Sequence, residues 1–333
     1  MTKTTIAAPA NIAFIKYWGA RDLDRALPLN PSISMTLERC VTLCTAEVTG
    51  GDRDEIWLAE PAGDFSHPDA EFTRMVQDQL DRLRRWAGRD ERLRVATRNS
   101  FPSAAGLASS ASGFAALTLA AAGALGKADA PAVELSRLAR ASGSGSAARS
   151  VLGGYVEWPA GEDEEHSYAF QLADAEHWDL RDVIAVVEIG PKVVSSRDGH
   201  RLALTSPYSA KRQELIPERL AKVRQAIIHR DLELLGPVLE EEAVDLHLIA
   251  MSSHPPIFYW APGTLAVLRT VRELRQEGLA AWATLDAGAN VHVLCDADSE
   301  EDVAERLESL PAVGFVIQDS VGSGPENDSQ HLF

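Results

Sequence analysis

Alternating apolar and polar positions rich in β-branched residues predict extended segments over 4–8, 32–37 and 41–48, so the chain opens as a sheet. A Gly50-Gly51-Asp52 turn is expected to join two strands. The spacing becomes helical over 71–86 through Phe72, Met75, Val76, Leu80 and Leu83, which leaves Arg82, Arg84, Arg85 and Arg89 for a solvated face among neighbouring acids. A strand over 93–97 feeds a loop of small residues, and the helix expected from about Ser110 to Ala124 is nearly all Ala, Leu and Gly, a composition that requires burial. Pro131 opens a helix to Arg140, and the small-residue run Ser142–Ser150 leads into a strand ending at Trp158.

The acidic run Glu162-Asp163-Glu164-Glu165 reads as a solvated loop, with a lobe boundary between it and Arg181, so we divide the chain into 1–180 and 181–333. Beyond the boundary, 183–189 is a buried-strand candidate, and 215–228, 232–251 and 264–277 carry helical apolar spacing. Strands at 282–285 and 291–294 are joined by Asp286-Ala287-Gly288-Ala289-Asn290, and a helix over 300–307 precedes a strand over 314–318. This mixture predicts an α/β protein with two lobes and a cleft between them, and no internal repeat is visible.

The charge narrows the partners. A net charge of -17 argues against nucleic-acid and anionic-membrane surfaces, so any anion site is local. Three cysteines, Cys40, Cys44 and Cys295, form neither a disulfide framework nor a zinc ribbon, and the first residues lack a secretory core. A reducing cytoplasm is the expectation, without a membrane span.

The chemistry concentrates in Pro102-Ser103-Ala104-Ala105-Gly106-Leu107-Ala108-Ser109-Ser110-Ala111-Ser112-Gly113. Small residues and hydroxyls at a helix start let a ligand reach free backbone N–H groups, which suits polyphosphate, although the segment alone also fits a capped and closely packed helix. No Walker loop, dinucleotide fingerprint, H-E-x-x-H or G-x-S-x-G is present. Three further segments carry anion-contacting or proton-moving groups, namely Asn11–Asp22, Ser142–Ser150 and Lys192–Gly199, and Asp286 stands alone in its turn.

The segments Ala10-Asn11-Ile12-Ala13-Phe14-Ile15-Lys16-Tyr17-Trp18-Gly19, Phe101 to Ser110, Gly143-Ser144-Gly145-Ser146-Ala147-Ala148-Arg149-Ser150 and Thr284-Leu285-Asp286-Ala287-Gly288 occur in the order found in the diphosphomevalonate decarboxylases of the GHMP kinase superfamily, and the chain resembles that family from about Ala10 to Gly324. The resemblance implies a ribosomal protein S5 domain 2-like N-terminal lobe, a ferredoxin-like C-terminal lobe and a homodimer. It also implies ATP-dependent decarboxylation: the 3-hydroxyl of a 5-phosphorylated mevalonate is phosphorylated, then phosphate and carbon dioxide leave.

By that resemblance Asp286 is the general base and Lys16 holds it ionised while neutralising charge on the transferred phosphoryl group. Arg149 would clamp the substrate carboxylate with help from Asn11 and Tyr17, and Ser144, Ser146, Ser196 and Arg197 would hold the 5-phosphoryl end. Pro102, Ala105, Gly106, Leu107, Ala108, Ser109 and Ser110 would cradle ATP phosphates and Mg²⁺, with the metal ligands left open. Read singly, Asp286 also fits a turn acid, Lys16 a snorkelling lysine, and each serine a cap or turn.

Two positions depart from the family pattern. Ala20 stands where the diphosphate-using enzymes usually carry Lys, and His200 stands where a Met follows the glycine. Losing that cation favours mevalonate 5-phosphate as substrate and isopentenyl phosphate as product, unless Arg21 replaces it; His200 fits either a phosphate contact or a helix cap. The alternatives are the diphosphate substrate, a GHMP kinase that stops at the phosphorylated product, and a ligand-binding protein without turnover.

Overall fold

The computed structural model describes residues 3–102, 109–190 and 194–333. Strands β1 (Lys3–Ile15), β2 (Ala20–Asp22), β3 (Leu27–Pro28), β4 (Ser32–Thr49) and β5 (Glu55–Ala59) come first, followed by α1 (Ala70–Ala87), β6 (Arg92–Asn99), α2 (Ser109–Ala124), α3 (Ala132–Arg140), β7 (Tyr155–Trp158) and β8 (Phe170–Ala173). The second half holds β9 (Leu180–Val186), α4 (Ser196–Leu202), α5 (Ser209–His229), α6 (Leu232–Met251), α7 (Pro262–Gln276), β10 (Ala281–Thr284), β11 (Val291–Asp296), α8 (Glu300–Glu308), β12 (Phe315–Ser320) and β13 (Glu326–Asn327).

The first sheet runs β13-β1-β4-β6-β5, with β7 on β4 and β8 on β7. The two extended segments expected over 32–37 and 41–48 are one strand, β4, whose pairing with β1 is interrupted by a bulge between Thr36 and Val41. The Gly50–Gly51 turn joins β4 to β5, but these strands are not neighbours: β6 lies between them, antiparallel to β4 and parallel to β5, because α1 provides the crossover. Helix α2 is buried on nearly every side against β1 and β4, as its composition requires. Arg84, expected on the solvated face of α1, is 5% exposed and forks onto both oxygens of Asp54 at 2.8 and 3.0 Å.

The second sheet has the order β10-β11-β9-β12, all antiparallel, which is the ferredoxin-like order. One face packs on α7 and α8 through Val183, Val293, Val267 and Val303. Its other face joins Ile184 and Leu294 to Ile216 and Leu239 of α5 and α6 and to Ile12 and Met35 of the first sheet. A continuous apolar core therefore spans both lobes.

Asp319 at the end of β12 adds a polar clasp. Its buried carboxylate accepts N–H bonds from Glu38, Arg39 and Cys40 at 2.9 Å each, satisfying the donors freed by the β4 bulge. Cys40, Cys44 and Cys295 are buried and free, and no helix of the described residues is long and apolar enough to cross a membrane.

Candidate active site

The segment Asn11–Asp22, read as carrying anion-contacting or proton-moving groups, is strand as far as Ile15, and Lys16 follows directly on the end of β1. The apolar sequence before Lys16 sends it inward: the residue is 1% exposed and does not snorkel. Its Nζ donates to Asp286 Oδ1 at 2.9 Å across 270 residues of sequence. Asp286 occupies the turn between β10 and β11, where the Gly288 N–H donates to the Asp286 carbonyl at 2.7 Å; its side chain remains 29% exposed. Asp286 is thus a turn residue whose carboxylate faces Lys16. Burial lowers the Lys16 pKa below the usual lysine range, while Asp286 opposes that shift.

Arg149, just past the short helical turn Gly145–Ala148, is 2% exposed and fully engaged along one edge. Nε and Nη2 donate to Asn11 Oδ1 at 3.2 and 3.0 Å, Nε also to Ser34 Oγ at 2.9 Å, and Nη1 to Ser32 Oγ at 2.5 Å. Asn11 in turn donates to Ser150 Oγ at 2.8 Å. Burial pulls the Arg149 pKa down to about 10, with Asp286 and Tyr17 working against it. Among the described residues no carboxylate bonds this desolvated guanidinium, whose partners Asn11, Ser32 and Ser34 are neutral acceptors, and that suits it to bind one.

Ser110 Oγ at the start of α2 lies 3.1 Å from Ser144 Oγ, and Ser144 Oγ lies 3.3 Å from Ser146 Oγ, so the two small-residue segments meet in a row of hydroxyls. The first turn of α2 carries no acid. Pro102, Ser109 and Ser110 flank that opening; Ala105, Gly106, Leu107 and Ala108, and also Lys192, lie outside the described residues.

Tyr17 packs edge-on to Trp158 at 4.9 Å and against His200 at 4.1 Å. Gly145 makes room for Tyr17, since a Cβ there would lie 2.8 Å from Tyr17 Cε1, and Gly199 does the same for the neighbouring Trp18, whose Cη2 would lie 2.3 Å from a Cβ. Burial raises the Tyr17 pKa to about 12, opposed by Arg140, Arg149 and Arg197, so three guanidinium groups act on this phenol. Ser196 and Arg197 open α4 and are exposed; Arg197 Nη2 is 3.9 Å from Asp24 Oδ1.

The departures from the family pattern have specific surroundings. Ala20 is 3% exposed, and Arg21, the cation beside it, donates from Nε to the Pro28 carbonyl at 3.2 Å and from Nη2 to the Gly161 carbonyl at 2.5 Å. His200 is not a cap: it lies within α4 and its Nδ1 accepts the Gly19 N–H at 3.0 Å. Residues absent from the expectation also converge here. Arg140, 2% exposed, bonds the carbonyls of Arg25 and, at 3.3 Å, Glu164; Asn30, Arg212 and Glu242 surround the Lys16 backbone.

Two family models cover almost the whole chain: the diphosphomevalonate decarboxylase-like N-terminal domain matches residues 8–169, and the mevalonate 5-diphosphate decarboxylase C-terminal domain matches residues 182–327. The chain belongs to the diphosphomevalonate decarboxylase family. Its fold is the two-lobed GHMP kinase fold, and the family's members are ATP-dependent carboxy-lyases. The diphosphomevalonate decarboxylase of Candida albicans is 33% identical over 100% of this chain and 99% of its own length. The mevalonate diphosphate decarboxylase of Staphylococcus aureus superposes with a TM-score of 0.91 at 34% identity, covering 98% of both chains. A structure described as MDDEF in complex with MVAPP, AMPPCP and magnesium superposes at 0.88 with 33% identity, covering 98% of this chain and 99% of the other. These relatives are named for the diphosphate, which supports that alternative over the monophosphate favoured from the sequence.

Proposed function

We propose that the protein converts mevalonate 5-diphosphate and ATP to isopentenyl diphosphate, carbon dioxide, phosphate and ADP. The observation that carries this reading is the Lys16–Asp286 pair, 2.9 Å apart, with the Arg149–Asn11 cluster on one side and the Ser110–Ser144–Ser146 hydroxyls nearby. Asp286 accepts the proton of the 3-hydroxyl as that oxygen attacks the γ-phosphorus, and Lys16 neutralises negative charge developing on the phosphoryl oxygens. Arg149, held by Asn11, Ser32 and Ser34, orients the carboxylate that leaves as carbon dioxide. Ser144, Ser146, Ser196 and Arg197 hold the phosphorylated end.

The opening of α2, with its hydroxyls and acid-free first turn, fits a polyphosphate and its metal. Mg²⁺ bound with ATP supplies charge neutralisation at the transferring phosphate, and Ser109 and Ser110 are the hydroxyls that would join its shell. The test is stoichiometric release of carbon dioxide with ADP from mevalonate 5-diphosphate. ADP without carbon dioxide would instead indicate the simple kinase, and nucleotide binding without turnover the ligand-binding reading.

One observation favours the monophosphate as a second reading: Ala20 contributes no charge and Arg21 is bound to carbonyls. Kinetics on both substrates, side by side, decide between them. The same proposal includes a homodimer, testable by sedimentation, a reducing cytoplasmic setting consistent with three free buried thiols, and the lobe division at 180/181.

A further inference from the structure

Lys16 sits where β1 ends, so its peptide leaves the ladder and its polar atoms need other partners. The second lobe, with Asn30 of the first, provides them. The Lys16 N–H donates to Glu242 Oε2 of α6 at 3.1 Å, and the Lys16 carbonyl accepts Nη2 of Arg212 of α5 at 2.7 Å and Nδ2 of Asn30 at 3.0 Å. Arg212 Nη2 also bonds Glu242 Oε2 at 2.8 Å, and its Nη1 bonds Asn30 Oδ1 at 3.1 Å, which closes a ring around this one peptide. Arg219 holds the other carboxylate oxygen at 2.6 Å.

The Glu242 and Arg212 side chains are 0% and 1% exposed. A buried ion pair usually contributes little more to stability than apolar residues of the same volume, so its presence here calls for another explanation. The reaction suggests one. When Asp286 accepts the hydroxyl proton it becomes neutral, and Lys16, itself buried, loses its nearest counter-charge. Glu242 does not: burial would raise its pKa, but Arg212 and Arg219 outweigh burial and hold it below the usual carboxylate range.

We propose that Glu242, held by Arg212, is a positioning residue for Lys16: it fixes the peptide from which the side chain projects and keeps the ammonium charged after Asp286 has taken the substrate proton. The inference rests on the roles given above to Lys16 and Asp286. Other charged groups acting on Lys16 are accounted for. Burial lowers its pKa, Asp286 and then Glu242 raise it, and Arg149 lowers it. Arg212 bonds the backbone, and Asp182 of β9, itself coupled to Lys16, is shifted toward its neutral form by burial.

The chain has six lysines, so a pH titration of the full-length protein labelled with ¹³C at lysine Cε resolves Lys16, assigned with Lys16→Arg. Glu242→Gln is expected to lower the Lys16 midpoint by about one pH unit or more. The alkaline limb of kcat should move to lower pH with it, while KM for ATP stays within about twofold. Arg219→Met, which leaves the Lys16 contact in place, is expected to cost stability without lowering the midpoint. An unmoved midpoint in Glu242→Gln, or an equal fall in Arg219→Met, overturns the proposal. Should Glu242→Gln not fold, Glu242→Asp keeps the charge and is expected to hold the midpoint within about half a unit; a fall of about one unit overturns the proposal equally. These midpoints are read without turnover, so a wild-type protein that releases no carbon dioxide would refute the functional reading separately.

Discussion

The Gly19 N–H donates to His200 Nδ1 at 3.0 Å, so His200 bonds the residue directly before Ala20, and the two positions read as departures from the family pattern meet at Gly19. Accepting that bond places the ring proton on Nε2. Burial, reinforced by Arg212, pulls the His200 pKa down to about 3, and the ring stays neutral at physiological pH.

His200→Met is therefore expected to raise KM for the phosphorylated mevalonate through displacement of Tyr17 and Gly19. Leaving a donor unpaired costs about 1–3 kcal/mol, or about 5- to 150-fold in affinity. The profile of kcat/KM between pH 5 and 8 should keep its shape in the variant, because a neutral ring has no proton to lose there. A limb near pH 6.5 that vanishes in the variant would contradict this assignment.

Ala20→Lys introduces the missing cation on the short strand β2. We expect it to raise kcat/KM for the diphosphate relative to the monophosphate by about tenfold, the value of one charge-assisted contact. An unchanged ratio would show that Ala20 does not set the preference.

Asp286→Asn removes the base but keeps the shape of the turn. Its kcat should fall by about 10²–10⁴-fold with KM for ATP little changed. Retention of wild-type turnover would remove Asp286 from the chemistry.

Asp319→Ala tests the clasp between β12 and the β4 bulge. Its carboxylate accepts backbone N–H bonds from Glu38, Arg39, Cys40 and Ser320. A loss of about 3 kcal/mol in urea unfolding is expected, with kcat at 25 °C within about twofold of wild type.

Much of the architecture is written in local periodicity. The helix expected over 232–251 matches α6, because Asp231 caps Leu234 and the apolar spacing persists to the end. Where long-range pairing decides, local pattern misleads: the polar interruption Glu38-Arg39-Cys40 separates two apparent strands, yet it marks a bulge completed by a carboxylate some 280 residues away. The strand expected over 183–189 is β9, shifted to 180–186, since its pairing with β11 begins at Leu180.

Within the site, Lys16, Asp286, Asn11 and Arg149 were accessible through motif order, and the structure brings them together. Glu242 and Arg212 were not, because charged residues on a helix are ordinarily solvated. A signal was nevertheless present. Glu242 falls in the apolar stripe Leu235, Leu239, Leu246, and Arg212 and Arg219 fall in the stripe Ile216, Val223, Ile227. A charge in a stripe position must find a partner inside the protein.

The 270-residue separation of Lys16 from Asp286 has a consequence for how the enzyme comes into being. The hydroxyls of Ser110, Ser144 and Ser146 belong to the half made first, whereas Asp286 is delivered by the other. A chain cut between the lobes would part Lys16 from Asp286 and would open the apolar core that the lobes share, so neither fragment holds the pair on its own.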